Sequence, residues 1–293
     1  MIRRNGEHFM KKTVRLPDGT LLPAIGQGTW FLGEGRADPN EEQMALRAGI
    51  GAGLCLIDTA EMYGSGRSES LIGQAIKGEK REDLFLVSKV YPHNAGKAHI
   101  FKSCDDSLRR LGTDYLDLYL LHWRGSVPLS ETVSCMEELI RRGKIRRWGV
   151  SNFDMDDMQE LWRVPGGSKC AVDQVLYHVA SRGIEYDLLP WLRDKKVPVM
   201  AYCPLAQAGD LRHGLLQHPV LTDIAAAHHA SVSQVLLAFV IRDGNVIAIP
   251  RSGNRAHTLE NAAAGDLVLS AEELARIDRA FPAPTRKMPL DIV

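Results

Sequence analysis

No sign of charge predominates in this chain: Lys plus Arg and Asp plus Glu each number 36, so the formal net charge is zero. Without a basic excess, neither nucleic acid nor an anionic membrane surface is expected as a partner. Long apolar runs are missing too, and no window approaches the ~18 consecutive apolar residues of a membrane-spanning helix. The start, MIRRNGEHFMKKTVRL, is basic, but no run of roughly 7–15 apolar residues follows it, so no secretory signal is expected. Cysteine is sparse. The five, at 55, 104, 135, 170 and 203, are odd in number, widely spread and without a CxxC pair. They suit reduced thiols in a cytoplasm better than a disulfide framework or a structural zinc site. The histidines offer no metal-ligand spacing either, since His228 and His229 are adjacent and would diverge on a helix.

What is present is an alternation. Short apolar runs at 24–28, 54–58, 84–89, 116–122, 146–151, 171–175, 198–203 and 246–250 read as eight strands. Most are continuous rather than alternating, as expected of strands covered on both faces. Helical segments lie between them. Residues 41–53, 105–112 and 132–143 end at glycine, and 231–244 and 270–280 open with Ser231/Gln234 and Ser270/Glu273, the spacing of a capping box. Eight strand–helix alternations over one domain, 1–293, predict a (β/α)8 TIM barrel. TVRLPDGTLL, residues 13–22, carries a hairpin signal and is expected at the barrel floor. The stretch GIGAG (49–53) invites a doubly wound nucleotide-binding sheet, but its glycines precede a strand, where the dinucleotide fingerprint follows one. It reads instead as a helix C-terminal turn.

In such a barrel the chemistry lies at the C-terminal ends of the strands. The second strand ends at Asp58 with Tyr63 in the following loop; Lys89 ends the third, His122 and Trp123 the fourth, Ser151 and Asn152 the fifth. Gln174 lies on the sixth, Tyr202 on the seventh, and Arg251 and Ser252 follow the eighth. Singly, Asp58 fits a turn cap, Tyr63 a rim aromatic, Lys89 a snorkelling surface cation and His122 a core histidine. Their arrival at one rim argues for a site. A phenol titrates near pH ~10 and is a poor acid near neutrality unless a neighbouring ammonium favours its phenolate. A carboxylate beside that lysine keeps it charged, and a histidine can hold a substrate oxygen near the phenol. Asp58, Tyr63, Lys89 and His122 therefore form a general acid for an oxygen gaining negative charge, and the electrons must come from a hydride-donating cofactor.

The motifs carrying these residues resemble the aldo-keto reductase family: GQGTW (26–30), LIDTAEMYG (56–64), VSKV (87–90), DYLDLYLLHW (114–123), GKIRRWGVSNF (143–153), AYCPLAQ (201–207) and IPRSGNRAHTLEN (249–261). The resemblance spans nearly the whole chain, and LIDTAEMYG, VSKVYP and SRGIEYDLLPW are most similar to bacterial methylglyoxal-reducing members. It implies a barrel that binds NADPH (or NADP) in an extended pose, with Asp58, Tyr63, Lys89 and His122 as the catalytic tetrad. It assigns Gly28, Thr29 and Trp30 to the cofactor side and Trp30 and Trp123 to the substrate walls. It implies further that Ser151, Asn152 and Gln174 hold the carboxamide, that Tyr202 stacks on the nicotinamide, and that Pro204, Leu205 and Gln207 meet the pyrophosphate. Arg251, Ser252, Asn254 and His257 match the 2′-phosphate site, with Glu260 and Asn261 at the adenine. Arg251, His257, Cys203 and Asp173 depart from the family's usual lysine, arginine, serine and asparagine. The implied activity is NADPH-dependent reduction of small aldehydes and ketones; a cytoplasmic enzyme is expected from the cysteines, as a monomer, with an oligomer left open. A cofactor-sensing channel subunit is the alternative, since some relatives serve that role.

Overall fold

The computed structural model describes residues 12–207 and 209–293; most of the basic N-terminal stretch lies outside them. A short hairpin comes first, β1 (Thr13–Arg15) pairing antiparallel with β2 (Leu21–Pro23) in the register Thr13↔Pro23. Eight parallel strands follow: β3 (Gln27–Gly28), β4 (Leu56–Asp58), β5 (Phe85–Val90), β6 (Leu118–Leu121), β7 (Trp148–Ser151), β8 (Asp173–Leu176), β9 (Val199–Tyr202) and β10 (Val246–Ala248). Each pairs with its neighbours in sequence order, from β3 to β10.

The sheet closes where β10 meets the first strand. Ile25 bridges Ala248 and Gly28 bridges Arg251, and the Gly26 amide donates to the Ala248 carbonyl at 2.8 Å. Closure needs close backbone approach: a Cβ at Gly28 would stand 2.6 Å from the Ile249 carbonyl oxygen, and one at Gly26 would stand 2.5 Å from a Leu56 methyl. Every residue of β5 and β6 is buried, which accounts for the apolar LYLL of β6 and the apolar start of β5, whose two polar residues, Ser88 and Lys89, are both hydrogen-bonded. The barrel is the one expected from the strand–helix alternation, although every regular strand except β5 is one to three residues shorter than its apolar run.

The hairpin lies at the floor. Arg147, immediately before β7, donates to Asp18 and to Thr20 in the hairpin turn, both at 2.6 Å. Val14, Leu16 and Leu22 seal that end with buried side chains. Around the barrel run α1 (Pro39–Gly51), α2 (Arg67–Ala75), α3 (Ile100–Leu111), α4 (Leu129–Arg141), α5 (Met155–Arg163), α6 (Leu188–Asp194), α7 (Asp210–Leu216), α8 (Pro219–Ala227), α9 (Val232–Val240), α10 (Arg255–Ala263) and α11 (Ala271–Ala280). The capping boxes Ser231/Gln234 and Ser270/Glu273 form as the spacing predicts, and α3 ends at Gly112 with φ 67°. Gly49 and Gly51 close α1, so GIGAG is a helix end and not a nucleotide loop. Sequence punctuation missed α2, whose entry residue is the left-handed Gly66 with no side-chain cap. Among the described residues, no helix is long and apolar enough to cross a membrane.

Candidate active site

The eight strands deliver their C-terminal residues to one rim, where a pocket of about 280 Å³ opens. At its base Lys89 is fully buried. Its Nζ donates to Asp58 Oδ2 at 2.8 Å, to the Thr59 carbonyl at 2.8 Å and to Tyr63 Oη at 3.1 Å. An ammonium has three donors, and all three are used. Asp58 Oδ1 accepts from Gln174 Nε2 at 2.8 Å, so both carboxylate oxygens are fixed.

The electrostatics follow from burial. Burial pushes the Lys89 pKa down while Asp58 opposes it, and burial pushes Asp58 up while Lys89 opposes that. The ion pair offsets part of the desolvation of each partner. Tyr63 differs from the expectation that the ammonium would lower its pKa: burial, with the Asp58 charge, holds it well above 10. The phenol therefore keeps its proton, as a general acid must before reaction. His122 packs edge-on to Tyr63, ring centres 5.9 Å apart. Burial and the Lys89 charge push its pKa down to about 2, so the imidazole is neutral, and its Nδ1 has no partner.

The walls are aromatic. Trp30 stacks on Phe31 and faces Tyr63, with ring centres at 4.4 and 6.4 Å. Trp123 lies 4.8 Å from His122. On the other side Asn152, held at φ 56°, is clamped: its Nδ2 donates to the His122 carbonyl at 3.1 Å and its Oδ1 accepts from Tyr202 Oη at 2.8 Å. Ser151 donates to the Gln174 carbonyl at 2.8 Å. The pocket continues past Gly28, Thr29, Pro204, Leu205 and Gln207 to Arg251.

The outer part is less complete. Asn254 caps α10 by accepting from the His257 amide at 3.1 Å, and Ser252 donates to the Asn254 carbonyl at 2.9 Å. His257 is exposed, the Glu260 carbonyl accepts from Gln234, and Asn261 is buried. None of these five lines the main pocket, although Ser252 and Asn261 border a small cleft beside it. Asp173 also lies outside the pocket. It is fully buried, and burial raises its pKa far above the usual range, opposed by the Phe153 amide.

Two arginines escaped the sequence reading. Arg36, stacked over Phe31 at 3.7 Å, and Arg212 on α7 both line the pocket with Arg251. They lower the Arg251 pKa after burial does, while Glu42 opposes them. None of the three forms an ion pair among the described residues. Neither arginine belongs to a local motif. The loop after β3 and the helix after β9 bring them together only in three dimensions.

Comparison with known proteins agrees with this architecture. The chain is 57% identical over 285 residues to methylglyoxal reductase YeaE of Escherichia coli (strain K12), covering 97% of this chain and 100% of that protein. It is 36% identical to glyoxal reductase of Bacillus subtilis (strain 168), over 92% of each. An aldo/keto reductase from Klebsiella pneumoniae, crystallised in complex with NADP and acetate, superposes with a TM-score of 0.94 at 59% identity, covering 97% of this chain and 100% of that one. Residues 24–281 match the model of the aldo/keto reductase family, and the chain belongs to that family.

Proposed function

We propose that this protein reduces small aldehydes and ketones with NADPH, and that methylglyoxal and compact aromatic aldehydes are preferred over open-chain sugars. The carrying observation is the buried Lys89 ammonium 3.1 Å from the Tyr63 hydroxyl, at the base of an aromatic pocket. Among the described residues no cluster of His, Cys, Asp and Glu could hold a metal ion.

The pocket fits a phosphorylated dinucleotide. A planar ring, Tyr202, stands near the amide-bearing Asn152 and Gln174, and the far end carries Arg36, Arg212 and Arg251, none of them ion-paired among the described residues. Guanidinium groups offer a bidentate fork to phosphate. Ser151, Asn152 and Gln174 would hold the carboxamide, Tyr202 the nicotinamide face, and Arg251 the 2′-phosphate, with Arg36 and Arg212 adding positive charge. When bound, the cofactor supplies a hydride to the carbonyl carbon.

The chain supplies the proton and the geometry. A neutral His122 donates one N–H to the substrate oxygen and directs it toward Tyr63. As that oxygen gains negative charge, Tyr63 Oη transfers its proton to it. The phenolate left behind faces the Lys89 ammonium, whose charge Asp58 maintains. In a site shielded from water this pre-placed cation is worth far more than it would be in solvent. Trp30 and Trp123 keep water from the reacting carbon and give a long polar chain few groups to bind. Sugars also spend most of their time cyclised, which lowers the available aldehyde. The named relatives reduce methylglyoxal and glyoxal, which points the same way. The alternative of a cofactor-sensing channel subunit gains no support from them. Side-by-side kcat/KM values for methylglyoxal, benzaldehyde, glucose and xylose test the reading: sugars outperforming methylglyoxal would refute the substrate preference, and no NADPH oxidation with any carbonyl would refute the reductase itself.

A further inference from the structure

The turn that carries Tyr63 is unusual. Gly64, Ser65 and Gly66 have φ of 57°, 56° and 88°, three consecutive residues in the left-handed region, one of them not glycine. Such backbone persists only where its surroundings hold it. What holds it lies behind the barrel. A Cβ at Gly66 would stand 2.5 Å from Arg110 Nε and 2.6 Å from Arg110 Cδ, so the turn rests directly on the Arg110 side chain.

Arg110 is itself anchored. Its Nε donates to Glu69 Oε2 at 2.6 Å and its Nη2 to Ser107 Oγ at 3.3 Å. Glu69, on α2, is fully buried, and its other oxygen accepts from Ser88 Oγ at 2.6 Å. Ser88 immediately precedes Lys89 on β5 and, like alternate strand residues, faces away from the barrel interior. A continuous path therefore runs from the Tyr63 turn through Arg110, Glu69 and Ser88 to the backbone of Lys89. Helices α2 and α3 approach closely along it, since a Cβ at Gly73 would stand 2.6 Å from the Arg110 carbonyl oxygen.

We propose that the Glu69–Arg110 ion pair is a positioning device for the proton donor, bracing the Tyr63 turn through Gly66 and the Lys89 strand through Ser88. It rests on the reductase reading above. Neither residue touches the pocket; both act by fixing the Lys89 Nζ to Tyr63 Oη separation from outside the barrel. A charged pair suits this task better than an apolar contact, because two directional hydrogen bonds fix the carboxylate between two elements. The Glu69 charge also favours the charged form of Lys89, after Asp58. The other groups facing Glu69, Cys104 on α3 and Tyr119 on β6, are held neutral by burial. Proton delivery depends steeply on such geometry, since a misplacement of ~1 Å can cost ~10²-fold in rate.

The test uses single-turnover reduction of methylglyoxal, with NADPH binding measured separately. Arg110→Ala is expected to slow the single-turnover rate by about tenfold or more, to leave the NADPH Kd and the KM within about twofold, and to regain rate when guanidinium ion is added. Ser88→Ala, which removes a single hydrogen bond, keeps the measurement decisive if Arg110→Ala does not fold; it is expected to lose about threefold or more in rate with the same NADPH Kd. Rates within about twofold of the parent in the folded variants, or rate losses matched by equal losses of NADPH affinity, overturn the positioning role. Normal turnover in the parent and in both variants rejects the brace alone, whereas a parent without turnover rejects the reductase reading and the brace with it.

Discussion

Removing the charge of Asp58 exposes what the buried pair does. In Asp58→Asn the Lys89 ammonium keeps its hydrogen bonds to the Thr59 carbonyl and Tyr63 Oη but loses its counter-charge in a site from which solvent is excluded. Breaking a buried pair from one side costs roughly 3–5 kcal/mol, a fall in Tm on the order of 10 °C for a chain of this size. The sign with pH follows. Burial already holds the folded pKa of Lys89 below its ordinary value, and Asp58 is the main opposing influence. Without it the folded pKa drops further, so below the unfolded pKa of ~10.5 the unfolded chain takes up a proton that the folded one refuses. The stability deficit relative to the parent therefore widens as pH falls below that value, compared at a pH of about 9.5 and one of about 6.5. Adding Lys89→Met removes the stranded cation, and the double variant should recover most of the ~3–5 kcal/mol. Activity should not return, because the double variant has no cation facing the phenolate. Thermal melts of the parent, both single variants and the double variant at the two pH values make the measurement. Additive losses, or a deficit that does not change with pH, would refute the picture of a paired, desolvated Lys89.

Three further outcomes are expected. Tyr63→Phe lowers the single-turnover rate by ~10² or more, the usual range for general acid catalysis, while NADPH binding, followed by cofactor fluorescence, persists; near-parental turnover would remove Tyr63 from the role. Arg251→Ala weakens NADPH binding by ~1–3 kcal/mol, the range of charge-assisted hydrogen bonds, and leaves NADH nearly unchanged; equal losses measured by titration would show that Arg251 does not read the 2′-phosphate. With the His122 pKa at about 2, the imidazole does not titrate near neutrality, so the kcat/KM profile should lack an acidic inflection at pH ~6–7 attributable to it. An inflection there that disappears in His122→Asn would contradict the neutral imidazole.

Much of this was legible without coordinates. The eight apolar runs determine a two-sided parallel sheet because strands covered on both faces admit no alternating polar residues, and β5 and β6 are accordingly buried throughout. The barrel rule then sends Asp58, Lys89, His122 and Gln174 to one mouth, since parallel strands share a C-terminal end. Local chemistry also determined the caps at Ser231 and Ser270 and the glycine ends of α1 and α3. Only the folded structure decided the rest. Tyr63 looked like a phenol acidified by lysine, but desolvation is a property of the surroundings, and it raises the pKa instead. Asn152 is already engaged by Tyr202, a partner 50 residues away that no motif specifies. The gathering of Arg36 and Arg212 beside Arg251, and the seating of the Gly66 turn on Arg110, join segments from 39 to 215 residues apart in the chain. Contacts across such distances depend on how helices pack around the closed barrel, and no local pattern encodes that packing.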